Sequence, residues 1–213
     1  MTPLETRSLP GAIWERIPSA WVSWDLAFQT WIEKNCNPQQ SPLKELRWMT
    51  ETHAGIFWGA FIVAALVIGL LWRNQRFHFS LRKWTLGLLF FLTSLGCADL
   101  LSSQFKIAVG RLKPHVNFYN PNFLPALSLP SNHAFNTAFV LAYVWMITDS
   151  MSRQKNRWFF AVGAALVGII GASRVCLGQH YPLDVLFGWI LGAIFASLSA
   201  KLYRRVAFFT KRN

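Results

Sequence analysis

The run SRVCLGQHYPLD, from Ser173 to Asp184, places an arginine, a histidine and a carboxylate within twelve residues. A histidine followed four residues later by an aspartate can share a helix face with it, so Asp184 can hold one ring nitrogen of His180. The other nitrogen is then available as a nucleophile or a base. Arg174, six residues upstream, can hold an anion in front of it. The combination suits phosphate chemistry.

Two further clusters carry the same chemistry. Lys106 and Lys113 lie seven residues apart in KIAVGRLKP, which on a continuous helix puts both on one face at roughly 10 Å. Pro114 is expected to end that helix. Asp99 falls on the same seven-residue series; an acid inside an apolar segment needs a partner, and the expected one is Lys106 or Arg174. In the second cluster, Pro130-Ser131-Asn132-His133, Ser131 is a candidate N-cap for a helix whose free N–H groups and dipole favour phosphate. His133 in its first turn can face that anion. Taken singly, each cluster has an ordinary explanation: snorkelling lysines, helix capping, or an Arg/Asp pair bracing a loop.

The elements that position these clusters read as membrane helices. Hydrophobic residues make up 53% of the 213 residues and charged residues 14%, a balance poor for a soluble globule and ordinary for a polytopic membrane protein. Apolar segments run from Ala54 to Trp72, Trp84 to Phe105, His133 to Asp149, Trp158 to Ala172 and Val185 to Ala200. The fold class is therefore all-α, a membrane bundle of about five transmembrane helices. Ahead of it, Trp21, Trp24, Phe28 and Trp31 alternate with Asp25, Gln29 and Glu33, which predicts an amphipathic helix lying in the outer interface or packed on the bundle. Residues 1–53 form this helix and its turn-rich connector, Asn35 to Pro42; residues 54–213 form the transmembrane domain.

The net charge of +12 does not signal nucleic acid. Twelve of the 21 Lys/Arg fall in Arg73–Lys83, Arg153–Arg157 and Lys201–Arg212, each beside an apolar run. These three stretches share one side of the bundle, which the positive-inside rule makes cytoplasmic, with the C-terminus. The three clusters then lie outside. Cys36, Cys97 and Cys176 have no metal-ligand spacing, and an odd count argues against a disulfide framework; Cys97 is expected to pack. Without a basic start followed by an apolar core, no cleavable signal peptide is expected.

In order and on one side, the three clusters resemble the motifs of the phosphatidic acid phosphatase type 2 (PAP2) family, KxxxxxxRP, PSGH and SRxxxxxHxxxD. The third is complete; Lys113 stands where the family has arginine and Asn132 where it has glycine. The resemblance implies that His180 attacks phosphorus, Asp184 orients it, and His133 protonates the leaving oxygen. It implies that Lys106, Lys113, Ser131, Asn132 N–H, Ser173 and Arg174 surround the phosphoryl oxygens, without metal or other cofactor. Lys113 keeps charge but loses the planar fork, which Arg111 can offset by turning inward. The compact layout is similar to that of bacterial undecaprenyl-diphosphate phosphatases. It implies a bacterial inner-membrane enzyme dephosphorylating a lipid at the periplasmic face. The motifs read phosphate and not the tail, so phosphatidylglycerophosphate, phosphatidate and lipid A phosphates stand as alternatives, as do a lipid phosphotransferase and a non-enzymatic lipid-binding protein.

Overall fold

The structure, a computed structural model, describes residues 8, 11–36, 81–114, 127–147 and 153–209. Among them a 3-10 turn, Ile13–Arg16, precedes five helices: α1 Ser19–Asn35, α2 Leu81–Val109, α3 Asn132–Ile147, α4 Arg153–Cys176 and α5 Pro182–Phe209. Extended pairing is confined, in these residues, to isolated bridges of Ser8 with Arg111 and Leu112 with Leu127. The all-α class holds. The expected span Ala54–Trp72 and the 53/54 boundary lie outside the described residues.

Two described helices are long and apolar enough to cross a bilayer, Leu86–Val109 in α2 and Pro182–Val206 in α5. Only 17% of the α2 apolar window is buried, so Leu92, Leu100 and Ile107 face outward. A soluble core helix would bury such residues. Phe160–Cys176 in α4 is a shorter apolar helix. Cys97 is exposed on α2, contrary to the expectation that it packs.

The core forms where α3 meets α5. Gly188, Gly192, Ala196 and Ala200 recur every fourth residue, so they line one face of α5. A Cβ at Gly188 would sit 2.8 Å from the Ser131 carbonyl oxygen, and one at Gly192 would collide with that of Phe135. The two backbones thus touch, and this contact fixes the start of α3 against the start of α5. Phe135, Phe139, Val140 and Tyr143 fill the space beside Ala98, Ala196 and Ala200. On the far side, Gly171 of α4 admits the Trp189 ring.

Helix α1 has an unexpected orientation. Its polar residues Asp25 and Gln29 are fully buried, while Trp21, Trp24 and Trp31 are each more than half exposed. Trp24 stacks on Phe28 and Phe28 on Trp31, with centroids 5.6 and 5.8 Å apart. The helix packs on the bundle, one of its two expected placements, and does so through the face that carries Asp25, Gln29 and Ile32. At its end, Cys36 forms a disulfide with Cys176, the last residue of α4, their Cα atoms 5.5 Å apart. This corrects the expectation from the odd cysteine count: parity requires one thiol to be left over, and Cys97 is that thiol.

The backbone contact makes a sharp prediction. Gly192→Val should destabilise the protein by roughly 2 kcal/mol or more through overpacking. Gly96→Ala, where a Cβ meets nothing within 4 Å, should be neutral or stabilising by up to about 1 kcal/mol. Thermal unfolding in detergent compares the two.

Candidate active site

All three sequence clusters converge at one end of the bundle, where α2 and α4 finish and α3 and α5 begin. Helix α4 closes through Gly178, whose φ of 65° suits a left-handed turn. The Arg174 carbonyl then accepts the Gln179 and His180 N–H groups at 3.0 and 3.3 Å. His180 therefore sits in the turn before α5 and does not share a helix face with Asp184, as the spacing had suggested. The two still meet, with His180 Nδ1 3.5 Å from Asp184 Oδ2.

Asp184 is fully buried and held at both oxygens. Oδ2 accepts the Tyr181 N–H at 2.8 Å and the Ser128 hydroxyl, and Ser128 Oγ also lies 3.4 Å from His180 Nδ1. Oδ1 accepts Arg111 Nη1 at 2.8 Å, while Arg111 Nη2 bonds Asp25. The Asp184 carbonyl accepts the Ser131 N–H at 2.9 Å, tying the two motifs together through backbone. Burial holds His180 below its ordinary 6.5; Asp184 opposes this, and Lys106 and Lys113 add to it. Its imidazole is neutral at neutral pH, the form a nucleophile needs. Burial raises the Asp25 carboxyl above its usual value, against the pull of Arg111.

The phosphate-binding candidates divide. Ser131 is at the N-cap position of α3, its carbonyl accepting Phe135 N–H, yet its buried hydroxyl has no partner. A buried hydroxyl without a partner at a helix start, beside the free N–H groups of the first turn, is a place for an anion. His133 lies in that turn, half-buried. Arg174 is fully buried and donates to Gln179 Oε1 at 2.7 Å. Lys106 and Lys113 are half-buried and within electrostatic reach of His180. Ser173 is less available than expected, because its hydroxyl donates to the Ile170 carbonyl at 2.7 Å.

Two expectations need correction. Helix α2 ends at Gly110, with φ 66°, and not at Pro114, so the helical register of Asp99, Lys106 and Lys113 breaks before Lys113. The turn sends Arg111 inward, to two carboxylates and not toward the missing family arginine. Asp99 is within electrostatic reach of Lys106, one of its two expected partners, and Asn132 is in addition a hydrogen-bond donor to it, with Nδ2 3.3 Å from Asp99 Oδ1. Asn132 also accepts Ser102 Oγ at 2.9 Å, so its side chain leans onto α2. Asp25 and Ser128 were missed. Asp25 gave a faint signal, an acid on a helix otherwise marked by aromatics; Ser128 gave none.

The α2–α3 tie is testable. Ser102→Ala and Asn132→Ala should each cost about 1 kcal/mol, and the double variant should cost less than their sum. Unfolding of the four proteins closes the cycle.

A family model described as the PAP2 superfamily matches residues 86–207. The chain is 31% identical over 110 residues to an undecaprenyl-diphosphatase of Sulfolobus acidocaldarius, an alignment of 49% of this chain with 50% of that one. It is 28% identical over 156 residues to phosphatidylglycerophosphatase B of Bacillus subtilis, covering 69% and 71%. With a lipid A 1-phosphatase of Rhizobium etli it shares 30% over 135 residues, 57% and 53% of the two chains. The alignments thus span half to about seven-tenths of these relatives. A solved structure, the transmembrane PAP2 type phosphatidylglycerolphosphate phosphatase from Bacillus subtilis, has the same fold, with TM-score 0.60 over 90% of both chains at 22% identity.

Proposed function

The chain belongs to the PAP2 superfamily, and on that premise we propose that it is an integral-membrane lipid phosphatase working through a phosphohistidine. The observation that carries this reading is the buried His180–Asp184 pair set beside the α3 N-terminus and its unpartnered Ser131 hydroxyl. His180 Nε2 attacks phosphorus and the bond to the leaving oxygen breaks, with His133 delivering a proton to that oxygen. The ring becomes cationic, and Asp184 stabilises it through Nδ1. Water then attacks phosphorus, His133 takes its proton, and the N–P bond breaks to release phosphate. Lys106, Lys113, Arg174, Ser131 and the Asn132 N–H balance charge on the phosphoryl oxygens.

The site faces the periplasm in a bacterial inner membrane, with the C-terminus cytoplasmic. The clustering of Lys/Arg in three stretches supports this, and so does the Cys36–Cys176 disulfide, which is suited to an oxidising compartment. Helix α1 lies in the outer interface with its tryptophans in lipid. The preferred substrate is a polyprenyl diphosphate such as undecaprenyl diphosphate. Phosphatidylglycerophosphate is the second reading, favoured by the longer alignment with the phosphatase of that lipid.

Three experiments test this. His180→Ala in a verified membrane preparation should lose at least about 1000-fold in phosphate release; normal turnover would sink the mechanism. In the wild type, protonation of His180 removes the nucleophile, so activity falls as pH drops through its value. Because burial holds that value below 6.5, the acid limb of kcat/KM should lie below 6.5. Purified protein offered polyprenyl diphosphate, phosphatidylglycerophosphate, phosphatidate and lipid A, with EDTA present, should release most phosphate from the first. A strong preference for a monophosphate overturns that assignment.

A further inference from the structure

Asp25 is distant in sequence from every motif, yet it reaches the support of His180. Its Oδ1 accepts the Leu183 N–H at 2.8 Å, at the start of α5, and its Oδ2 accepts Arg111 Nη2. The other terminal nitrogen of Arg111 holds Asp184 at 2.8 Å. The faces of the guanidinium are covered as well: its central carbon lies 3.9 Å from the Trp14 ring centroid and 3.7 Å from that of Tyr181. Rings above and below and carboxylates at two edges leave the group one orientation.

The charges matter as much as the geometry. Asp25, Arg111 and Asp184 are all buried, and with both carboxylates ionised against the one guanidinium the set carries a net charge of minus one. Without Asp25, Arg111 would neutralise Asp184 alone, and little negative charge would remain for the imidazolium that forms at His180. With Asp25 present, Arg111 is shared, and Asp184 stays anionic toward Nδ1. Among the described residues, groups near His180 also include Ser128, Lys106, Lys113 and the carbonyl of Arg174. Two of these are cations, and the Asp25–Arg111–Asp184 set supplies negative charge against them.

We propose that Asp25 and Arg111 are a positioning pair that fixes the rotamer of Asp184 and keeps it a net anion opposite His180, which makes α1 part of the catalytic apparatus. This rests on the reading of His180 as the nucleophile. The pair touches Asp184 and not the reacting atoms, so its signature lies in turnover and pH dependence, not in substrate affinity.

The test uses the full chain in detergent with the lipid phosphate it hydrolyses fastest. Asp25→Asn keeps shape and removes charge. It should lower kcat roughly ten- to a hundredfold with KM changed by less than about twofold. Loss of a negative charge disfavours the imidazolium, so the acid limb of kcat/KM should move to lower pH. Asp25→Glu should recover part of the lost kcat and return the limb toward its original position. Arg111→Lys, which keeps charge but loses the fork, is the second arm if Asp25→Asn does not fold; kcat should fall with KM held. A folded Asp25→Asn with unchanged kcat and pH profile overturns the proposal, as does a rise in KM alone. His180→Ala, run alongside, separates the two ideas: turnover retained there overturns the phosphohistidine reading itself, whatever Asp25 does.

Discussion

The arrangement of this end of the molecule depends on a guanidinium taken out of water. Arg111 is buried between Asp25 and Asp184, with Trp14 and Tyr181 on its faces. Removing three charges from solvent is expensive, and buried ion pairs are often no more stabilising than apolar residues of the same size. The set is better understood as a device for orientation. It draws together the 3-10 turn, α1, the segment after α2 and the start of α5, and it determines which oxygen of Asp184 faces His180.

The second constraint is steric. Gly188 and Gly192 let the α5 backbone lie directly against α3, and the Ser131 N–H to Asp184 carbonyl bond locks the two helix starts. Between lipid-exposed helices there is little hydrophobic force to exploit, so close backbone approach is a principal source of attraction. The same contact sets the spacing between the start of α3, with Ser131 at its N-cap and His133 in its first turn, and the loop bearing His180.

What could be read from the sequence was local. His180 and Asp184 are four residues apart, and Ser131 announces a helix start, so these pairings survived folding with only the helix boundary shifted. What could not be read was non-local or depended on sidedness. Arg111 and Asp25 are 86 residues apart, and no periodicity links them. The aromatic pattern of α1 predicts a helix but not which face turns inward, because an interfacial helix can bury its polar side. Cys36 and Cys176, 140 residues apart, were obscured by an odd count. Gly110 was visible and undervalued: a glycine in a helical pattern is a break point, and here the break directs Arg111 toward Asp184.

The rigidity of the α3–α5 contact has a consequence for selectivity. On the proposed reading, an end clamped by backbone contact and buried charge would have little room to reshape itself around different ligands, and would sense the phosphoryl group that all lipid phosphates present. Discrimination among lipids then falls to the flanks, where tails would lie against exposed apolar side chains. On the proposed reading, a small phosphate mimic seated at Ser131 would inhibit turnover of every substrate alike. A compound reaching out along the tryptophans of α1 would instead act on the flank, where tails rather than phosphates are read.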